Sequence, residues 1–117
     1  MSYDLAVWEG DRPKSDTEAA QIFDQLYDEL METDIAVPPS PRIRDYVEAL
    51  LARWPDIGSD DGEDSPWADG PLINNAVGRL FYFAMTWSSG PQVEDDVARY
   101  AAERGLVCFN PQTGTLI

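Results

Sequence analysis

The chain contains no histidine, a single cysteine (Cys108), a single lysine (Lys14) and only eight basic residues against 22 acids. Without histidine, the commonest general base and the usual zinc-ligand sets are missing, and no metal or other cofactor is expected. One cysteine cannot close an internal disulfide, which fits a reducing cytoplasm. No G-x-S-x-G elbow and no glycine-rich phosphate loop occurs. Met1-Ser2-Tyr3-Asp4 has no basic n-region, and no run approaches the roughly 20 apolar residues of a membrane span, so a soluble, cytoplasmic protein is expected. There is no internal repeat or low-complexity tract.

What remains is acidity. A formal charge of −14 repels phosphate backbones and anionic lipid headgroups, so neither nucleic acid nor membrane is an expected partner. The same field attracts a cationic protein surface over about a Debye length, roughly 8 Å at physiological salt. The plainer alternative is that the acids only keep the protein soluble.

At 117 residues, with 44% hydrophobic residues, the chain is one domain, 1–117, able to bury about two-thirds of its unfolded surface. The most apolar run, Arg79 to Trp87, is too short for a buried helix and lies between Gly78 and Ser88-Ser89-Gly90-Pro91, which predicts a strand. Both of its faces are largely apolar, which places it inside a sheet. Tyr3–Trp8 reads as the first strand, with Tyr3, Leu5 and Val7 on one face and Ala6 and Trp8 on the other.

Ser15 followed by Glu18 has capping-box spacing, and Ala19, Ile22, Phe23, Leu26, Tyr27 and Leu30 recur as the apolar stripe of a first helix. Its other face carries one sign. Ser15 to Asp34 holds seven acids (Asp16, Glu18, Asp24, Asp28, Glu29, Glu32, Asp34) and no base. Like charges on neighbouring turns destabilise an isolated helix by a few tenths of a kcal/mol per pair, so packing must hold this one. An acidic docking surface and an ordinary solvated face both fit. Ser40-Pro41 starts a second helix with Ile43, Tyr46, Val47, Leu50, Leu51 and Trp54 inward, and Pro55 ends it. Its arginines, Arg42, Arg44 and Arg53, are placed to offset part of the first helix's charge.

Asp56 to Gly70 carries six acids and no base. Neither register around Gly62 or Asp56 matches a calcium-binding loop, so a self-repelling linker fits better. Within it, Trp67 either covers a core edge or stands exposed as a binding anchor. Leu72 to Val77 reads as a second strand entering the Arg79–Trp87 strand by a hairpin. Gly90-Pro91 opens a third helix that Gly105 ends, followed by a strand at Leu106–Phe109 and an optional one at Thr115–Ile117.

The order β-α-α-β-β-α-β(-β) is an α+β arrangement resembling the ferredoxin-like, or split β-α-β, two-layer sandwich with an extra helix. The first and third strands are expected side by side and parallel at the centre, with all helices on one face. The other face, including Ala6, Trp8, Tyr82 and Ala84, is then open, the competing reading being cover by the second helix or by the Trp67 loop.

Tyr3 to Trp8, Ser65 to Asp69 and Gly105 to Gly114 resemble segments of small actinobacterial proteins of this length, whose motifs carry no established chemistry. Such acidic single-domain proteins are similar in kind to immunity proteins that neutralise toxins. The resemblance implies a non-enzymatic antitoxin that occludes a basic toxin, with a nuclease as one candidate. Asp24, Asp28, Glu29 and Glu32 of the helix, Asp60, Asp61, Glu63 and Asp64 of the loop, and the aromatics Trp8 and Trp67 are the candidate partner-binding residues. One alternative is a structural or regulatory homo-oligomer, such as a homodimer, that uses the open sheet face. The other is a small carboxylate-based enzyme, which needs an enclosed pocket holding two acids with shifted pKa values. Cys108, inside a strand and without a histidine, is expected to be an inert thiol.

Overall fold

A computed structural model describes residues 2–31, 37–56, 66–68, 71–86 and 90–117. The expected capping serines start the first two helices. Ser15 Oγ accepts from the Glu18 amide at 3.1 Å, opening α1 (Asp16–Leu26), whose last turn widens into a π-helical segment, Tyr27–Met31. Ser40 Oγ accepts from the Ile43 amide at 3.3 Å, opening α2 (Pro41–Arg53), which stops before Pro55. At the end of α3 (Gly90–Glu103), Gly105 sits at φ 70°, and the Leu106 and Gly105 amides return to Ala101 and Ala102, satisfying carbonyls the helix leaves unpaired.

The strands β1 (Ser2–Trp8), β2 (Ala76–Val77), β3 (Leu80–Thr86), β4 (Val107–Asn110) and β5 (Thr115–Leu116) form one five-stranded antiparallel sheet in the order β2-β3-β1-β4-β5. β1 and β3 are neighbours, as expected, and pair along their full length from Ser2 with Thr86 to Trp8 with Leu80. They run antiparallel, which corrects the parallel expectation. The β2–β3 hairpin reverses the chain, so β3 fills the gap beside β1 in the opposite direction. At this hairpin Gly78 has φ 56°, a left-handed conformation that favours glycine, and a Cβ there would press on Val37 Cγ1 at 3.2 Å.

Leu72–Asn75 is a 3₁₀ turn, and only Ala76–Val77 is strand. Pro71 fixes the entry, while the Asn74 amide bonds back to the Pro71 carbonyl and the Leu72 amide to Asp56 Oδ1. These donors are spent away from the ladder. Farther along the same β3 edge, Pro66–Ala68 takes over: Trp67 bridges Met85, and the Ala68 and Thr86 amides bond the Ala84 and Pro66 carbonyls at 2.9 Å each.

Alternation along the strands sorts the core into two clusters. Leu5, Val7, Phe81, Phe83, Met85 and Cys108 face α2 and α3. Tyr46 joins those two helices, its hydroxyl donating to the Val97 carbonyl at 2.9 Å while its ring packs edge-on against Phe81. Ala6, Trp8, Leu80, Val107 and Phe109 point the other way, against Ala19, Ile22, Phe23 and Leu26 of α1. The expectation of an open sheet face is therefore overturned: the extra helix covers it. A sheet with two apolar faces leaves one uncompensated unless a helix is assigned to each, and burial of apolar area decides the matter at about 25 cal/mol per Å².

Candidate functional site

The position of α1 determines what its acids can meet. Its apolar stripe is pressed onto Trp8, Phe109 and Leu80, so the remaining faces look outward. Asp16, Asp24, Asp28 and Glu29 are exposed, and Glu18 is half-buried. Asp16 Oδ1 accepts from the Leu116 amide at 2.9 Å and ties the helix start to β5. Asp16 and Glu18 also suit the positive end of the helix dipole, whereas Asp28 and Glu29 lie at the negative end. They are therefore held where the helix itself disfavours them.

No arginine compensates. Among the described residues the ion pairs are Arg99 with Asp96 and Glu103, and Arg104 with Asp45 and Glu103, all on the α2–α3 layer. The expected offset by Arg42, Arg44 and Arg53 does not occur by contact, because α2 packs on the opposite face of the sheet. Residues 16–31 carry five acids and no base, while α2 carries two acids and three bases.

Asp24, Asp28 and Glu29 thus share one helix and one unneutralised surface. Glu32 and the loop acids Asp60, Asp61, Glu63 and Asp64 lie outside the described residues. Trp8 and Trp67 require correction, because both indoles are core, exposed by 1% and 0%. Trp67 Nε1 donates to the Trp54 carbonyl at 2.8 Å, and its ring packs edge-on against Trp54 and Phe83. Trp8 packs against Phe23 and Phe109. A fully desolvated indole offers a partner nothing without unfolding its surroundings.

Among the described residues the exposed aromatic is instead Tyr27, at 36%. Its ring centroid lies 5.9 Å from that of the half-buried Tyr82, and Phe23 backs both at 6.1 and 5.2 Å. The Tyr82 hydroxyl donates to Asp4 Oδ2 at 3.2 Å. Burial, then the neighbouring Asp4 carboxylate, pushes the Tyr82 phenol up to about 12, so it stays a neutral donor. The three- and four-residue spacing puts Tyr27 on the inward stripe of α1, and its exposure corrects that reading. Its place at the stripe's margin, over a tyrosine distant in sequence, is a tertiary fact.

Other reactive groups are occupied structurally. Burial raises the Cys108 thiol to about 12, with Glu94 adding to it, which leaves it protonated at neutral pH. In the hollow lined by Tyr3, Glu94, Asp95 and Asn110, the buried Asn110 amide donates to Tyr3 Oη and Glu94 Oε1 while its oxygen accepts from the Gln112 and Thr113 turn. It fixes the β4–β5 turn. Among the described residues no group of three or more potential ligands is placed to hold a metal ion, and no helix is long and apolar enough to cross a membrane. Comparison with protein-family models, curated proteins and solved structures finds no match for this chain.

Proposed function

We propose that this chain is a non-enzymatic cytoplasmic binding protein that meets a basic protein through the outer face of α1. In its most concrete form it is an immunity protein or antitoxin that occludes a basic toxin, such as a nuclease. The observation that carries this reading is the placement of Asp24, Asp28 and Glu29, exposed on a helix without a base, while the ion pairs among the described residues gather across the sheet. Long-range attraction from such a face raises association rates more than it deepens affinity. The order β2-β3-β1-β4, with α2 and α3 on one face, also supports a ferredoxin-like scaffold to which α1 and β5 are added. The homo-oligomer alternative has lost its apolar surface to α1.

Capture from the native host at low salt tests the proposal. A basic protein should be retained, released by salt, and lost from the triple variant Asp24→Asn, Asp28→Asn, Glu29→Gln. Retention of only neutral or acidic proteins refutes it. Reversal of Asp60, Asp61, Glu63 and Asp64 to lysine separately measures the loop's share, and an unchanged association rate removes the loop from the interface.

A further inference from the structure

We propose that the basic partner is engaged through an arginine side chain laid on the Tyr27–Tyr82 ring pair, between Asp4 on one side and the Asp24–Asp28 strip of α1 on the other. This rests on the reading of α1 as a docking face and narrows it to one patch and one ligand chemistry, a guanidinium group.

Among the described residues the large apolar side chains counted as exposed are Tyr27 and Ile117, so Tyr27 stands out on a helix whose other stripe members are covered. Its ring is held rather than loose. Phe23 lies behind both tyrosines and is itself packed on Trp8 and Phe109, with centroids at 6.5 and 5.8 Å. A surface built on such backing loses little side-chain entropy on binding. Tyr27 also opens the π-helical segment, a departure from regular helix that often marks functional positions.

Charge selects the occupant. Ring faces present negative potential, and helical spacing sets Asp24, three residues earlier, on the same side of the helix as Tyr27, with Asp28 one turn on from Asp24. Both carboxylates are exposed and belong to no ion pair among the described residues. An anion is repelled here, and a neutral apolar group leaves the acids unused. A guanidinium uses both features at once, since its plane stacks on a ring while its fork of N–H donors reaches a carboxylate. An ammonium group is a more strongly hydrated point charge and matches the rings less well.

The probes are two end-blocked hexapeptides, one alternating arginine with glycine and one alternating lysine with glycine, titrated at low salt against the full chain and followed by the tyrosine ring signals in NMR. The arginine peptide should bind on the order of fivefold more tightly than the lysine peptide and shift the Tyr27 and Tyr82 rings. Tyr27→Leu, which keeps an apolar stem at an exposed position, should erase that preference, whereas Glu29→Gln should weaken both peptides equally. If both peptides bind alike and Tyr27→Leu changes neither, the patch is wrong while the acidic docking face stands. If neither peptide binds and the triple-neutralised variant still captures the host protein, both readings fall. Ring shifts that follow protein concentration without peptide overturn the proposal in favour of a second copy of the chain.

Discussion

Replacing Trp67 distinguishes a core residue from a partner anchor. In Trp67→Phe the indole N–H that bonds the Trp54 carbonyl at 2.8 Å is lost, and a carbonyl left without a partner in a part-buried site costs about 1–3 kcal/mol. The missing ring volume adds about 1 kcal/mol, because the edge-on packing against Trp54 and Phe83 cannot fully collapse onto a smaller ring. The sum is about 2–4 kcal/mol, and Trp67→Ala should reach about 4–5 kcal/mol. For a chain of 117 residues the unfolding entropy is about 0.25 kcal/mol per degree, so Trp67→Phe should lower Tm by roughly 8–16 °C in a calorimetric or far-UV scan. Partner binding at a temperature where the variant is folded should be unchanged. The reasoning is refuted if Tm moves by less than about 2 °C, a shift of about 0.5 kcal/mol, or if binding is lost while stability is kept.

Two further predictions concern charge and pH. Asp28→Asn with Glu29→Gln removes negative charge from the wrong end of the α1 dipole and should stabilise the fold by about 0.5–1 kcal/mol at low ionic strength, an effect that fades in 0.5 M salt; a loss of stability contradicts it. Burial holds the Cys108 thiol at about 12 against an ordinary value of 9.0, and Tyr82 at about 12 against 10.0, so the unfolded chain releases these protons first. Their contribution is complete below pH 9 and is lost as pH rises toward 12, by up to about 1.4 kcal/mol per pH unit for the buried Cys108 and by less for Tyr82, whose phenol is partly screened by solvent. Urea midpoints measured across that range should fall, and a thiol that reacts at pH 8 as fast as free cysteine would refute the assignment.

Local chemistry made the helix boundaries legible. Ser15, Ser40-Pro41, Pro55 and Gly105 each act within one or two turns, so their roles survive whatever packs around them. The reading of Leu72–Asn75 as strand failed for the opposite reason: Pro71 and the Asp56 carboxylate, 16 residues away, take its amides. Which sheet face α1 would cover could not be read either. Both faces of β1 and β3 are apolar, and period-2 alternation distinguishes the faces without saying which helix each receives. Trp67 was legible as a choice between burial and display, but burial is decided by the Trp54 carbonyl and Phe83, contacts 13 and 16 residues distant. The acidity of α1 was plain in the sequence. That it goes unanswered by arginines follows only from α2 lying on the other side of the sheet.

The most direct test of the central claim is the association rate of the captured host partner with the wild-type chain and with the Asp24→Asn, Asp28→Asn, Glu29→Gln variant, measured against ionic strength. An acidic docking face predicts a fast rate at low salt that falls steeply as salt rises, and a slower, flatter dependence for the variant. Equal rates and equal slopes for the two proteins would contradict it.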